Sequence, residues 1–503
     1  MRDPVPARSL SAIVAFALCT PFAFAQNVPL PDIGSSAGEI LSPEQEHQYG
    51  ARMLYEMRRV DLVLEDALIA DYVHALGYRL VALSERPEQE FTFFVVRSND
   101  INAFAAPGGF VGLNVGLMHT AESESEVAAV LAHEVAHVTQ RHLVRAYESM
   151  QKATLPIALA MLGAVLASRN SSGDGTEAAL IGGMGLLQQQ AINFTRHNEY
   201  EADRIGIFTL AKAGFDPEAM AGFFGRMGRA TRSNNTGEVP EFLRTHPVTT
   251  ARITEAKNRV ETIRRDPPTV TEPAANEARF RLMRERAHVL TASEPAKLVG
   301  IYRNQLRHAD ANQATALRYG LAISLLRSGQ AKAAGAELDV LLAAAPTEIA
   351  FLLPRAEARR IAGDAEGALK TLQALAELAP DHRAVQLAHA EALNAVGGKS
   401  GGEGAMAVLR PLLARNAADP STQAVFARAC ELAGEETRAL EAHAEVALYT
   451  GRPYDAMEQL KRLLERPGID YYQRARVEAR IEELKPYMAE LERQRIRRED
   501  QDR

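Results

Sequence analysis

Residues 123–143 read SESEVAAVLAHEVAHVTQRHL, and this stretch predicts a buried α-helix. Ser123 and Glu126 have the spacing of a capping box, in which two side chains satisfy free backbone N–H groups at a helix start. Apolar residues then recur at three- and four-residue intervals, as in a helix that packs one face into a core. The predicted buried stripe consists of Val127, Leu131, Val135 and Val138. A helix held in this way is a rigid support for its polar residues.

Three polar residues stand within the same stretch, namely His133, Glu134 and His137. Because successive residues turn by about 100° around a helix, the two histidines project from one face, one turn apart. Two imidazole nitrogens so placed can bind one tetrahedral zinc ion. Glu134 can then reach a water at the metal and act as general base. The alternative is a pair of helix-surface histidines without a metal.

A catalytic zinc site needs a third protein ligand, and Asn198–Asp203 (NEYEAD) contains the best candidate. Glu199 and Asp203 are four residues apart and share a helix face, whereas Glu201 points about 200° away from Glu199. Glu199 is therefore the predicted third ligand. Asp203 is expected either to orient a ligand histidine or to supply a proton near the substrate carbonyl. The same spacing also fits an acidic, solvated helix face.

A small sheet is predicted just before the histidine helix. Phe91–Val96 is rich in aromatic and β-branched residues and indicates a strand. The next stretch, from Asn102 onward, is typical of a hairpin that turns at Pro107-Gly108-Gly109. Asn102–Phe104 is expected to be an edge strand beside the histidine helix, where an extended peptide could pair with its backbone. Together these features predict an α+β metalloprotease-type domain, mainly helical, over residues 43–264.

The second half of the chain has an internal repeat. Gly329, Gly363 and Gly397 are spaced by 34 residues, as are Pro346 and Pro380. This period, with glycine at the helix turn and proline at the unit end, is the tetratricopeptide signature. We therefore predict a linker over 265–283 and an all-α tetratricopeptide solenoid over 284–490. Such repeats stack into a superhelix whose concave groove binds other proteins.

Composition excludes several classes of function. The 503 residues are 47% hydrophobic and 24% charged, an ordinary balance for a globular protein. The net charge of −7 provides no basic surface for nucleic acid. The chain has two cysteines, Cys19 and Cys430, which is too few for a disulfide scaffold.

The first 25 residues predict a cleaved export signal. Arg2 and Arg8 precede an apolar run, and Ala23-Phe24-Ala25 supplies small residues before a cleavage site at Gln26. Cys19 suggests lipidation as an alternative, but Leu18 is bulkier than lipoprotein processing prefers.

Two further apolar pieces, Leu155–Ala167 and Ala178–Leu187, are too short to span a bilayer. They are expected to form a buried helical hairpin, with a flap or a peripheral membrane contact as alternatives.

The motifs resemble those of a known family. His-Glu-x-x-His at 133–137, followed by Asn-Glu-x-x-Ala-Asp-Arg-x-Gly at 198–206, is similar to the CAAX prenyl endopeptidase-like zinc metalloproteases. The resemblance implies a zincin-type domain with one zinc ion on His133, His137 and Glu199. It also implies that Glu134 is the general base and Asp203 the proton donor. His246, before Pro247, would be a regulatory fourth zinc ligand; without the resemblance it is a structural loop histidine.

The resemblance also implies a biological role. Relatives that combine an export signal with a tetratricopeptide array are periplasmic endoproteases with a chaperone-like role in outer-membrane β-barrel assembly. Their expected partners are the barrel assembly machinery and stalled barrel precursors, including the lipopolysaccharide-transport barrel. The alternative is a non-proteolytic tetratricopeptide chaperone or adaptor with a silent or structural metal site. An integral-membrane prenyl-protein protease is disfavoured because the mature segments are too short to span a bilayer.

Overall fold

The structure is a computed structural model that describes residues 42–148, 195–233, 241–265 and 277–501. The predicted signal peptide (1–25) and the apolar pieces Leu155–Ala167 and Ala178–Leu187 lie outside these ranges. Within them, no helix has the length and apolar character that a membrane crossing requires.

Two helices and a three-stranded sheet come first in the described part of the chain. The sheet order is β1-β3-β2, with β1 parallel and β2 antiparallel to β3. The hairpin turns through a short 3-10 segment, Pro107–Gly109, as predicted. A side chain at Gly109 would meet the Glu90 carbonyl oxygen at 2.1 Å, so the turn requires glycine there. These elements are α1 (Pro43–Arg59), α2 (Ala67–Val81), β1 (Thr92–Val96), β2 (Ala103–Ala106) and β3 (Phe110–Asn114).

The histidine helix lies at the centre of the N-terminal core. Almost all of its residues are buried, but Val138, the last residue of the predicted buried stripe, is only half-buried. The Ser123 side chain accepts from the Glu126 N–H, but the Glu126 carboxylate accepts from the Glu122 N–H, so the predicted capping box forms only in part. The helices of this region are α3 (Val115–Thr120), α4 (Glu124–Thr139), α5 over 142–148, α6 over 195–212, α7 (Glu218–Ser233), α8 (Glu241–Thr245) and α9 (Thr250–Arg265).

The prediction that the histidine helix runs to Leu143 was wrong. Helix α4 ends at Thr139, and Arg141 has a left-handed backbone with φ of 53°. A non-glycine residue in this conformation interrupts the helical hydrogen bonds, so α5 leaves in a new direction.

The C-terminal part consists of helices packed in antiparallel pairs. Equivalent helices recur every 34 residues in the first units, and Gly329, Gly363 and Gly397 end helices with positive φ. The predicted α+β class, mainly helical with a small sheet and followed by an all-α region, is confirmed. The helices are α10 (Glu277–Thr291), α11 (Pro295–Leu306), α12 (Ala311–Arg327), α13 (Ala331–Ala344), α14 (Ile349–Ile361), α15 (Ala365–Leu378), α16 (Arg383–Val396), α17 (Gly398–Arg415), α18 (Pro420–Ala433), α19 (Glu436–Tyr449), α20 (Pro453–Leu464) and α21 (Tyr471–Gln501).

The helical repeats pack against α1 and α2. Arg286 donates two hydrogen bonds to Asp66 at 2.8 and 2.7 Å, and Arg383 donates to Asp71 at 3.2 Å. A cavity of about 500 Å³ on the repeats is lined partly by residues 65–68. Helix α10 begins inside the predicted linker, and its Phe280 joins the same core as α4. The domain limits therefore stay predictions.

Breaking the Asp66–Arg286 pair should destabilise the protein in a pH-dependent way. Burial raises the pKa of Asp66, but the Arg286 charge and its hydrogen bonds outweigh burial and hold the pKa below its ordinary value. The pair therefore contributes stability above the unfolded pKa of 3.8, and this contribution is lost as the pH falls through the folded pKa. Asp66→Asn should reduce the free energy of unfolding by about 3 kcal/mol at neutral pH, because it leaves Arg286 unpaired.

Urea unfolding of parent and variant from about pH 3 to pH 7 tests this expectation. The difference should be constant near neutrality and shrink below about pH 4. Asp61→Asn is the matched control, because the Asp61 side chain is 88% exposed. A difference between parent and Asp66→Asn that does not change with pH would contradict the expectation.

Candidate metal centre

Helix α4 presents His133 and His137 to one side, as its periodicity predicts. Their Nε2 atoms lie 3.0 Å apart, and His133 is fully buried. Helix α6 packs across α4 at Gly206, where a side chain would come within 3.1 Å of the backbone nitrogen of His133. This close approach of the two helices brings the acidic residues of α6 to the histidines.

Glu199 on α6 completes a set of three groups that could bind a metal ion. Its Oε2 lies 3.4 Å from His133 Nε2, and its Oε1 lies 3.4 Å from His137 Nε2. Tetrahedral zinc with bonds of about 2.0–2.1 Å separates its ligand atoms by roughly 3.3 Å. The two imidazoles and the carboxylate therefore fit a zinc ion both in chemistry and in spacing.

His246 reaches the same place from the loop after α8. Its Nδ1 lies 3.0 Å from Glu199 Oε1 and 3.4 Å from His133 Nε2. Donor atoms of His133, His137, Glu199 and His246 all lie within 4.8 Å of one another. The His246 imidazole is thus positioned as a fourth ligand would be. The loop is held in part by the His246 backbone N–H, which donates to the Phe242 carbonyl at 2.7 Å.

Glu134 is buried beside these donors, with 1% of its surface exposed. Burial raises the pKa of its carboxyl, against the lowering effect of His246 and His133. The Ala105 N–H of β2 also donates to this carboxylate, whereas Oε1 has no hydrogen-bond partner within the described part of the chain. The carboxylate therefore keeps an acceptor atom available in the site.

Asp203 lies behind His133 rather than in the open part of the site. Its Oδ1 is 3.0 Å from His133 Nδ1, and Arg252 donates two hydrogen bonds of 2.7 Å to it. Burial raises the pKa of Asp203, but Arg252 and His133 outweigh burial and lower it. These contacts suit the orienting role that the spacing allowed, and the proton-donor role that the resemblance implied stays a prediction.

Arg252 is a site residue that sequence reasoning missed. Its side chain is 2% exposed, and it also lies 2.8 Å from Glu199 Oε2. One guanidinium thus holds the two carboxylates of α6 that face the histidines. Arg252 stands in a highly charged helix, α9, where nothing in the local pattern separates it from solvent-exposed arginines.

A second group of polar residues lies behind His137. His142 Nδ1 is 2.9 Å from His137 Nδ1, and His142 Nε2 is 3.1 Å from Glu201 Oε2. Arg145 donates to the same Glu201 oxygen at 3.0 Å. Glu201, which the spacing excludes as a ligand, therefore has a place next to the site.

This region is similar to a known family of peptidases. Residues 68–260 match the model of peptidase family M48. The match contains both helices that carry the donor atoms, and it ends within α9. This part of the chain is therefore similar to the peptidases of family M48.

Individual relatives are similar over a longer stretch. The chain is 36% identical over 323 residues to the beta-barrel assembly-enhancing protease of Yersinia pestis, covering 64% of this chain and 65% of that protein. It is 35% identical over 323 residues to the protein of that name from Escherichia coli K12, covering 64% of each. The mitochondrial metalloendopeptidase OMA1 of Schizosaccharomyces pombe is 32% identical over 206 residues, covering 41% of this chain and 55% of that protein. The chain thus spans just under two thirds of the length of the two bacterial relatives.

Proposed function

We propose that this protein is a zinc-dependent endoprotease with His133, His137 and Glu199 as the metal ligands and Glu134 as general base. The observation that carries the proposal is the spacing of the two imidazole nitrogens and the Glu199 carboxylate, whose nearest atoms lie 3.0 to 3.4 Å apart, beside the buried carboxylate of Glu134. The match of this region to a metallopeptidase family supports the same chemistry. One zinc ion per chain is expected.

The residues around the metal have separate tasks in this proposal. A zinc ion, when bound, polarises the scissile carbonyl and makes water more acidic. Glu134 accepts the proton of the attacking water and delivers it to the leaving amine nitrogen. The raised pKa of its buried carboxyl suits a group that must both take up and release a proton. Asp203, held by Arg252, keeps His133 in one orientation with its Nε2 toward the site.

We assign substrate binding to the edge strand β2. This strand lies at one edge of the sheet and packs against α4. An extended peptide that pairs with β2 would run past Glu134, because the Ala105 N–H already contacts that carboxylate. Pairing through the backbone depends little on side chains, which suits a protease for unfolded chains.

Zinc removal tests the proposal directly. The mature chain, from Gln26 onward, should contain one zinc ion and cleave casein. A chelator should abolish cleavage, and added zinc should restore it, because only coordination bonds to the three proposed ligand residues hold the metal. Metal analysis and a gel-based casein assay are the measurements. Cleavage that continues after complete zinc removal would contradict the proposal, and a metal-free, inactive protein would favour the adaptor alternative.

His246 is proposed to hold the site in a latent state. Its imidazole would take the position that the attacking water needs. His246→Ala should therefore raise casein cleavage by about 5- to 30-fold, the factor that corresponds to a closed-state preference of about 1–2 kcal/mol. Initial rates at equal zinc content are the measurement. His197→Ala, an exposed histidine on α6, is the control and should have the parent rate. A His246→Ala rate below that of the parent would contradict an inhibitory role.

The cellular role is proposed from the relatives and the predicted export signal. The names of the bacterial relatives refer to β-barrel assembly, and we extend this role to the present chain. The protein would act in the periplasm, assist assembly of outer-membrane barrel proteins and degrade misassembled ones. Its partners would be the assembly machinery and barrel precursors, bound by the repeat region. A cavity of about 600 Å³ there is lined by residues of α17 to α21, including Arg410, Phe426 and Arg438.

A further inference from the structure

The turn at the end of helix α4 lets His142 face the proposed ligand His137. Residues five apart in a continuous helix differ by about 140° around the axis, so His142 could not face His137 there. The left-handed Arg141, with φ of 53°, breaks the helix between them. A non-glycine residue pays about 1–2 kcal/mol for this conformation, so neighbouring contacts must retain it. One such contact is an ion pair from Arg141 to Glu46 on α1.

Behind His137, three residues contact one another in sequence: His142, Glu201 and Arg145. The Nδ1 atoms of His137 and His142 lie 2.9 Å apart, and the His142 ring crosses the His137 ring at 78°. His142 Nε2 then contacts Glu201 at 3.1 Å, and Arg145 donates to Glu201 at 3.0 Å. His142 is buried, with 3% of its surface exposed. We call His142, Glu201 and Arg145 the His142 relay.

One arrangement of protons satisfies every contact of this relay. His137 turns Nε2 toward His133 and Glu199, so a metal at the site would need that nitrogen unprotonated. The proton of neutral His137 is then on Nδ1, which donates to His142 Nδ1. His142 in turn carries its proton on Nε2 and donates to Glu201, whose charge Arg145 balances.

We infer that His142 is a positioning residue that fixes the tautomer and the ring orientation of His137, and thereby the strength with which the site retains zinc. The inference rests on the proposed zinc site. In this inference, the two histidine ligands are held in place by different groups. His133 contacts the Asp203 carboxylate directly, whereas His137 reaches a carboxylate only through a second imidazole. Groups of this kind behind a ligand typically change metal affinity by 10- to 100-fold.

His142→Phe tests the inference in the full mature chain, because phenylalanine fills the same place without a nitrogen. Zinc affinity, measured by competition with a chromogenic chelator, should fall by about 10- to 100-fold. In histidine-¹⁵N NMR of the zinc-loaded protein, the parent should show a hydrogen-bonded Nδ1 proton on His137 that the variant lacks. His197→Phe on the exposed side of α6 is the matched control and should keep the parent affinity.

A pair of substitutions at Glu201 keeps the test decisive if His142→Phe does not fold. The Glu201 side chain is 19% exposed, so its replacement disturbs packing less. Glu201→Leu removes the acceptor and should lower zinc affinity, whereas Glu201→Gln keeps an acceptor oxygen and should stay closer to the parent. A folded Glu201→Leu or His142→Phe variant with the parent's zinc affinity would overturn this inference and leave the proposed function standing. A parent that binds no zinc would overturn the proposed function and the inference together.

Discussion

Glu134→Gln is expected to reduce casein cleavage by about 10²- to 10⁴-fold, the range in which a general base contributes to catalysis. Glutamine has nearly the same shape as glutamate but cannot take up the proton of the attacking water. Because Glu134 is not among the proposed ligands, the variant should keep one zinc ion per chain. The combination of a filled metal site and lost turnover separates a catalytic role from a ligand role.

Single-turnover cleavage and metal analysis on the same preparation are the measurements for Glu134→Gln. Glu122→Gln is a matched control, since it makes the same chemical change just before α4 on a side chain that is 71% exposed. The control should cleave at the parent rate. A Glu134→Gln protein that retains a substantial part of the parent's rate would refute the general-base assignment and favour a different proton acceptor.

Arg252→Leu is expected to lower the free energy of unfolding of the zinc-free protein by about 3–5 kcal/mol. The guanidinium is 2% exposed and contacts Asp203 and Glu199, which are each 3% exposed. Its removal leaves two buried carboxylates without their cation, which is among the most destabilising changes that a single substitution can make. Zinc should restore part of the loss, because the bound cation would compensate Glu199.

Urea unfolding of parent and Arg252→Leu, with zinc and with a chelator, measures both effects. Arg264→Leu is the control on the same helix, where an arginine in an exposed ion pair should have little influence. The double variant Arg252→Leu with Asp203→Asn should be less destabilised than the sum of the single variants, because the unpaired charge has been removed. An Arg252→Leu protein as stable as the parent would show that the carboxylates are neutral or hydrated.

The local pattern of the sequence was enough to predict much of the metal centre. His133, Glu134 and His137 lie within one helix, where a spacing of four residues fixes their relative direction. Glu199 was predicted from the same periodicity on a second helix. The hairpin at Pro107–Gly109 and the 34-residue repeat could be predicted for a similar reason, since turn residues and repeats are visible in the sequence itself. The roles of these residues stay predictions until the variants are measured.

Other features depended on contacts between residues far apart in the chain. Arg252 reaches Asp203 across 49 positions, and Arg286 reaches Asp66 across 220. Neither arginine differs locally from its solvated neighbours. The end of α4 is a related case, because a continuing helical pattern hides the left-handed residue at 141. Only that turn brings His142 to His137.

By itself, the sequence determined which residue types meet on each helix face, and hence the candidate metal-binding motif of α4 and the repetitive character of the second half. The tertiary structure decided how close α6 comes to the histidines of α4, which buried cation balances the carboxylates, and how the repeats pack on α1 and α2. The physical reason is that periodicity describes neighbours along one element, whereas burial and ion pairing arise only when separate elements pack together.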